Sequence, residues 1–263
     1  MIDTHYLRED QYKDSSDLQA RANIHERFST NPYGWLTWVF DQIALPEEAR
    51  ILELGSGGAF LWSEIAERIP DHWDITLTDF SEGMPADAAV NLGQLKSRFT
   101  FTVMDAQEIR FEDASFDAVI ANHMLYHVPD REKTFTGVRR VLKPGGRFYA
   151  ATNGLGHLQE LFELSRTFYP GLDKDRPSGI FGLENGLDQL SPWFENIELR
   201  RYEDSLKVTD ADALVKWAQS WAKRYIEASK LDSFYEFLRS ELARSGVIHV
   251  TKDSGLFIAT KEA

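Results

Sequence analysis

Short apolar runs alternate with helical patterns through the middle of the chain. Residues 51–54, 74–79, 99–103, 116–121 and 147–152 are predicted strands, because each is a brief apolar or alternating run bounded by turn residues. Segments with apolar residues at helical spacing separate most of them. This order predicts an α/β fold with a doubly wound, mostly parallel sheet.

Helices are also predicted on both sides of this core. Residues 16–28 and 35–43 have apolar residues at helical spacing and are separated by the turn Asn31–Gly34. Beyond the fifth strand, residues 158–168 again have a helical pattern, and the Gly- and Pro-rich residues 170–182 are predicted to form a loop. The parallel pattern therefore stops near residue 152.

The C-terminal third combines strand and helix patterns. Residues 194–202 are a predicted strand, and residues 211–228 and 231–243 are predicted amphipathic helices. Residues 247–261 are predicted to form a β-hairpin that turns at Asp253-Ser254-Gly255, because this tripeptide is typical of turns.

Composition narrows the classes of protein and site. The 263 residues are 43% hydrophobic and include 13% aromatic residues, which is enough for one large domain with a substantial core. The chain has no cysteine, which excludes disulfides, thiolate metal sites and a cysteine nucleophile. No metal site is predicted.

Charge and hydropathy bear on location and partners. The formal net charge of -13 opposes binding to phosphate backbones, so no nucleic-acid partner is expected. No apolar run approaches the roughly 20 residues of a membrane span, and the N-terminus lacks the apolar segment of a signal peptide. These features predict a cytoplasmic protein.

The stretch Ile51–Phe60, with the sequence ILELGSGGAF, carries the first chemical signal. Gly55 and Gly57 suit a sharp strand-to-helix turn, because glycine adopts positive φ and lets a ligand approach the backbone. Glu53 is expected to point into the same crevice. Phe60 occupies the third glycine position of the G-x-G-x-x-G dinucleotide fingerprint, which argues against a nicotinamide or flavin enzyme.

A carboxylate at the end of the second strand carries the next signal. Asp79 lies 26 positions after Glu53, close to the spacing at which an acidic residue binds a ribose in nucleotide-binding α/β folds. One carboxylate accepts hydrogen bonds from two adjacent hydroxyls. The alternative is that Asp79 caps the segment that begins at Ser81.

These residues resemble motif I, E/D-x-G-x-G-x-G, of the class I S-adenosylmethionine-dependent methyltransferases, with Ala59 where the family often has its last glycine. The loop His127–Asp130 and the stretch Leu142–Gly146 before the fifth strand extend the resemblance. It implies a Rossmann-like, seven-stranded sheet with an antiparallel last strand, an N-terminal helical cap and an insertion that forms a lid. It also implies S-adenosylmethionine as cofactor and S-adenosylhomocysteine as product.

The resemblance also implies a set of cofactor-binding residues. An acid after the third strand binds the adenine amino group in this family, and Asp105 with Ala106 matches that position, although Asp105 could instead cap a loop. Arg21 is a candidate for the methionine carboxylate, with an ordinary surface arginine as the alternative. The full predicted set is Glu53, Gly55, Ser56, Gly57, Asp79, Phe80, Met84, Asp105, Ala106, Asn122 and Arg21.

Two histidines and six aromatic residues are the candidates on the acceptor side. His127 is the first candidate for a general base and His123 the second, because both belong to the loop after the fourth strand. The alternative is a packed or solvent-facing loop histidine. Aromatic faces favour a cationic methyl donor, and the candidates for the pocket wall are Tyr6, Phe28, Tyr33, Trp35, Trp38 and Tyr126, with ordinary core packing as the alternative.

The sequence therefore predicts a methyltransferase that acts on an oxygen, nitrogen or carbon atom of a small organic molecule, with natural-product tailoring as one setting. The predicted segments are a cap over residues 1–48, a cofactor-binding core over 49–153, a lid over 154–195 and the rest of the core over 196–263. A nicotinamide-dependent oxidoreductase and a noncatalytic S-adenosylmethionine-binding protein are the alternatives. A monomer and a homodimer both stay open.

Overall fold

A seven-stranded sheet forms the centre of the computed structural model, which describes residues 16–170 and 177–262. The strand order is β3-β2-β1-β4-β5-β7-β6. The strands are β1 Ala49–Leu54, β2 Trp73–Asp79, β3 Phe99–Val103, β4 Phe116–Asn122, β5 Leu142–Asn153, β6 Glu195–Val208 and β7 Ile248–Thr260. Strands β1 to β5 are parallel, and β7 is antiparallel to both of its neighbours. The predicted fold class is confirmed.

Helices cover both faces of the sheet and extend beyond its β6 edge. The α-helices are α1 Ser16–Phe28, α2 Trp35–Asp41, α3 Phe60–Glu64, α4 Met84–Leu92, α5 Arg131–Val141, α6 Gln159–Ser165, α7 Pro177–Ile180, α8 Gly186–Leu190, α9 Ala211–Tyr225 and α10 Leu231–Ser245. Short 3₁₀ helices follow α3, α4 and β4, and another precedes α10.

Successive side chains of the central strands point to opposite faces of the sheet and pack into two different hydrophobic clusters. In β1, Ile51 packs into a cluster with α2 and α3, whereas Leu52 packs into a cluster with α5 and α8 on the opposite face. Both side chains are fully buried, as expected for a central parallel strand covered by helices on each face. A third cluster joins α1 and α6 to α9 and α10, so the N-terminal helix packs on the C-terminal helical pair.

The predicted C-terminal hairpin is wrong. Residues 248–260 form one continuous strand that pairs with β5 on one side and β6 on the other. Gly255 lies inside this strand, where a Cβ atom would come within 2.7 Å of the Arg200 carbonyl oxygen. The glycine thus permits close backbone approach rather than a turn, and tertiary pairing overrides the local turn signal.

The start of β5 also differs from the prediction. The strand was expected over residues 147–152, but it begins at Leu142. Residues 143–146 form an irregularity inside it, because Phe116 of β4 pairs with Leu142 and Ala118 pairs with Arg147. The expected loop over residues 170–182 contains the short helix α7, and its residues 171–176 lie outside the described part. The division of the chain into four segments stays a prediction.

Candidate active site

A cavity of about 850 Å³ opens where the parallel strands end. Glu53, Asp79, Asn122 and Asn153, from the carboxyl ends of β1, β2, β4 and β5, all line it. This edge is where open α/β sheets bind ligands, because the loops that follow the strands diverge there.

The glycine turn after β1 has the predicted backbone conformation. Gly55 has a φ of 63° and Gly57 a φ of 53°, both in the left-handed region that favours glycine. A Cβ atom on Gly55 would also lie 2.8 Å from Cβ of Met124. The turn therefore needs glycine at this position both for its backbone angles and for its packing. Ser56 lines the cavity beside the two glycines.

Asp79 holds this turn in place. Its carboxylate accepts hydrogen bonds from the backbone N–H of Gly57 and of Ser81, each at 2.9 Å. The second bond is the one expected of a cap. Each carboxylate oxygen still has a lone pair for a further donor, so Asp79 can also accept hydrogen bonds from two ribose hydroxyls. Burial raises the pKa of Asp79, whereas its backbone hydrogen bonds lower it.

Glu53 and Asn122 form a buried polar pair at the base of the cavity. Glu53 accepts hydrogen bonds from the indole N–H of Trp62 at 2.6 Å and from the side-chain amide of Asn122 at 3.2 Å. Burial raises the pKa of Glu53 to about 7, although both hydrogen bonds favour the ionised form. The Oδ1 atom of Asn122 is buried without a hydrogen-bond partner in the described residues, which suits a donor group on a bound molecule.

The predicted adenine region also lies at the cavity. Asp105 accepts hydrogen bonds from the backbone and side-chain amides of Gln107, so it does cap the loop, and it lines the cavity together with Ala106. Phe80, which is 37% exposed, and the buried Met84 line the same side. Ligand contacts of these residues stay a prediction.

The two candidate histidines line the cavity in different ways. His123 follows β4 with a φ of 51° and lies 5.3 Å from the Trp35 ring, measured between ring centroids. Burial, with a smaller contribution from the cation of Lys252, lowers the pKa of His123 to about 4. His127 ends the 3₁₀ helix that follows β4, and its ring packs edge-on against Tyr126 at 4.5 Å.

The structure brings only some of the other predicted residues to the cavity. Arg21, Trp35 and Tyr126 line it. Three other aromatic residues do not line the cavity. Phe28, at the end of α1, packs in the cluster with α9 and α10. Tyr33 is exposed and donates a hydrogen bond to Asp41, and Trp38 packs on Tyr202. Tyr6 lies outside the described residues.

An aromatic face of α9 lines the cavity and was not predicted to do so. Trp217, Trp221 and Tyr225 are spaced four residues apart and therefore share one face of the helix. This spacing is a signal that sequence reasoning could have used. His25 of α1 and Lys252 of β7 also line the cavity, and nothing in the sequence connects them with it.

Lys252 forms a buried ion pair beside this face. Its Nζ lies 2.5 Å from the Asp204 carboxylate, and the two side chains are 5% and 0% exposed. Asp204 also accepts hydrogen bonds from the Ser29 hydroxyl at 2.6 Å and from the Asn31 backbone N–H at 3.0 Å. The pair thus fixes the segment after α1 onto β6 and β7.

No helix within 16–170 or 177–262 is long and apolar enough to cross a membrane. Across the same ranges, no group of three or more histidine or acidic side chains is placed to hold a metal ion.

Comparison with known proteins gives matches to methyltransferases. Residues 52–150 match the family model described as a methyltransferase domain. A malonyl-[acyl-carrier protein] O-methyltransferase of Geobacter sulfurreducens is 31% identical over 61% of this chain and 58% of its own length. The ubiquinone/menaquinone biosynthesis C-methyltransferase of a Geobacter species is 32% identical over 43% of this chain and 49% of its length. The matches thus span only about half of either relative.

A solved structure shares the fold over nearly the whole chain. A phosphoethanolamine N-methyltransferase of Haemonchus contortus, in complex with phosphomonomethylethanolamine and S-adenosylhomocysteine, superposes with a TM-score of 0.60. It is 22% identical, and the alignment covers 98% of this chain and 59% of that protein. The glycine turn, the carboxylates at the strand ends and the unsatisfied Asn122 oxygen fit S-adenosylmethionine as the cofactor. Residues 52–150 therefore carry a methyltransferase domain, and the chain shares the fold of the Haemonchus methyltransferase.

Proposed function

We propose that the protein transfers a methyl group from S-adenosylmethionine to an oxygen, nitrogen or carbon nucleophile of a small organic molecule, with natural-product tailoring as a setting. The observation that carries this proposal is one cavity lined both by the cofactor-type strand ends and by a wall of histidines and aromatic residues. The O-methyltransferase among the relatives supports oxygen as an acceptor atom.

The residues of the chain position the reactants. The bound cofactor supplies an electrophilic methyl group on a sulfonium, whose charge favours nearby aromatic faces such as Tyr126. Asp79 binds the ribose hydroxyls, and Asn122 binds the methionine portion. The protein mainly holds the acceptor atom in line with the methyl carbon and excludes water.

The two histidines have different proposed roles. A general base works best when its pKa is near the operating pH. His123, whose pKa burial lowers to about 4, is a weak base and serves to position the acceptor through a neutral imidazole. His127 is the proposed base for acceptors that lose a proton, and an already neutral amine needs little help of this kind.

Isothermal titration calorimetry with S-adenosylhomocysteine, with NADH as the comparison ligand, tests the cofactor assignment. We expect binding of the first ligand alone. Asp79→Ala should weaken it by about 1–3 kcal/mol, or roughly 5- to 150-fold in Kd, because a charged hydrogen-bond acceptor is lost. Asp74→Ala is the matched control, since Asp74 is on the same strand but pairs with Arg50 at the surface.

The outcomes separate the alternatives. Binding of NADH alone would support a nicotinamide-dependent oxidoreductase, and an unchanged Kd in Asp79→Ala would remove the ribose role. Tight binding of S-adenosylhomocysteine without methyl transfer to any acceptor in a broad screen would support a noncatalytic S-adenosylmethionine-binding protein. The cytoplasmic location and the choice between monomer and homodimer stay predictions.

A further inference from the structure

The cavity extends along the sheet well beyond the strands that carry the cofactor-type residues. From β2, which carries Asp79, to β7, which carries Ser254, there are four strand steps, or about 19 Å at ordinary strand spacing. We call the part over β4, β5 and β7 the acceptor half. It is lined by His25, His123, Asn153, His157, Phe162, Trp217, Trp221, Tyr225, Lys252 and Ser254.

One wall of the acceptor half is a continuous strip of aromatic rings. Ring centroids are 5.4 Å apart between Trp217 and Trp221 and 6.3 Å apart between Trp221 and Tyr225. Phe162 of α6 packs against the first two, at 6.0 and 6.4 Å. From Trp217 to Tyr225 the helix rises about 12 Å, so the strip suits an elongated body rather than a small head group.

Within the described residues, two buried polar side-chain atoms that belong to the lining of this half have no hydrogen-bond partner. The indole Nε1 of Trp221 and the Nδ1 of His25 are both buried and make no hydrogen bond within the described residues. An indole N–H is only a donor and therefore requires an acceptor atom. An unmade buried hydrogen bond costs free energy, so both atoms point to a bound molecule that carries polar substituents.

The same two atoms discriminate between classes of acceptor. An ammonium group supplies only donors and leaves the Trp221 N–H unsatisfied. A hydroxyl or carbonyl oxygen accepts from that N–H, and a hydroxyl also donates to a neutral imidazole. Burial lowers the pKa of His25 to about 3, so its imidazole is neutral near pH 7.

We propose that the methyl acceptor is an elongated, ring-containing molecule without a cationic group, which carries a hydroxyl group and a further oxygen and binds with its rings against Phe162, Trp217, Trp221 and Tyr225. This inference rests on the proposed methyltransferase function. In the reaction a lone pair of the hydroxyl oxygen forms the bond to the methyl carbon. The carbon–sulfur bond breaks with its electron pair on sulfur, and the hydroxyl proton passes to His127.

The test measures acceptor binding separately from cofactor binding. Protein saturated with S-adenosylhomocysteine is titrated with 2-naphthol and with 2-naphthylmethylammonium, which share the ring system and differ in the polar group. We expect 2-naphthol to bind at least about tenfold more tightly, because only its oxygen can accept from the Trp221 N–H.

Variants of Trp221 locate the site. Trp221→Leu should weaken 2-naphthol binding about tenfold through the lost ring contact, and Trp221→Phe should weaken it less, because the ring remains. Both should bind S-adenosylhomocysteine as the wild type does. Trp193→Leu is the control, since Trp193 packs in the cluster with α5 and α8, away from the cavity.

The failures are distinguishable. Absent binding of S-adenosylhomocysteine would contradict the proposed function itself. With the cofactor product bound, a preference for the ammonium compound, no binding of 2-naphthol, or equal 2-naphthol affinity in wild type and Trp221→Leu would each overturn the acceptor assignment.

Discussion

The two halves of the cavity are built in different ways. The cofactor half comes from turns that directly follow consecutive parallel strands, with Glu53 and Asp79 at their ends. The acceptor half combines elements that are far apart in the sequence, from His25 in α1 to Lys252 in β7. Strand-end geometry is shared by many α/β folds, whereas the acceptor half depends on how the flanking helices of this chain pack.

Burial disfavours a negative charge on Glu53 in the cofactor half and a positive charge on His123 in the acceptor half. In the cofactor half it raises the pKa of Glu53 to about 7, and in the acceptor half it lowers the pKa of His123 to about 4. Folded protein thus binds a proton at Glu53 more tightly than unfolded protein does, and binds one at His123 less tightly. Between pH 4.5 and 6.5, a rise in pH lowers the stability through Glu53 and raises it through His123.

The largest expected effect is that of breaking the ion pair in the acceptor half. Lys252→Met leaves the fully buried Asp204 carboxylate without its cation and should lower the free energy of unfolding by about 3–5 kcal/mol. Urea denaturation measures this loss. Lys143→Met is the control, because Lys143 pairs with Asp117 near the surface. Similar losses of unfolding free energy in both variants would show that the buried Lys252–Asp204 pair stabilises the fold no more than a surface pair does.

The cofactor half should lose stability as pH rises. The pKa of Glu53 is raised from 4.5 to about 7, so its contribution is greatest below the lower value and falls as pH passes through the higher one. From pH 5 to pH 8 the wild type should lose about 2.5 kcal/mol that Glu53→Gln does not lose. Urea denaturation of both proteins at the two pH values measures the difference, and parallel pH profiles would contradict the raised pKa.

The acceptor half should respond to pH with the opposite sign. The pKa of His123 is lowered from 6.5 to about 4, so its contribution is complete above 6.5 and falls on acidification. Between pH 7 and pH 5 the wild type should lose about 2 kcal/mol more than His123→Asn. Asparagine tolerates the positive φ at this position. An equal loss in the two proteins would mean that His123 titrates normally.

The sequence predicted the parallel part of the fold well because its signals are local. Short apolar runs and the Gly55–Gly57 turn need no distant partner to be recognised, and the structure has them where they were expected. The hairpin at Asp253–Gly255 failed because β6 pairs along almost all of β7, and β5 pairs along residues 254–260. That pairing involves residues about 50 and 100 positions away, which no local turn signal reports.

The same contrast applies to the site. All eleven predicted cofactor residues line the cavity, and most of them follow strand ends. Of the five predicted aromatic residues within the described part of the chain, Trp35 and Tyr126 line the cavity. The orientation of the others depends on how α1 and α2 pack on the rest of the protein. The spacing of Trp217, Trp221 and Tyr225 is enough to place them on a shared helix face, but only the packing of α9 on α1 turns that face toward the cavity.

The smallest expected effect concerns the motif position where this chain has Ala59. Ala59 has a φ of 55° and is 1% exposed, so Ala59→Gly relieves backbone strain but loses a buried methyl group and adds entropy to the unfolded chain. These terms largely cancel, and the free energy of unfolding should change by less than about 1 kcal/mol. Calorimetry should show unchanged S-adenosylhomocysteine affinity.

Ala59→Val sharpens this result, because a β-branched residue in the left-handed region is strained and its added methyl groups have no space in a buried site. We expect lower stability and weaker S-adenosylhomocysteine binding in this variant, since Ala59 is the N-cap of α3 and lies directly after the glycine turn. If valine left the affinity unchanged, the third motif position would act only in packing the helix. The cofactor half would then depend on Gly55, Gly57 and Asp79 without it.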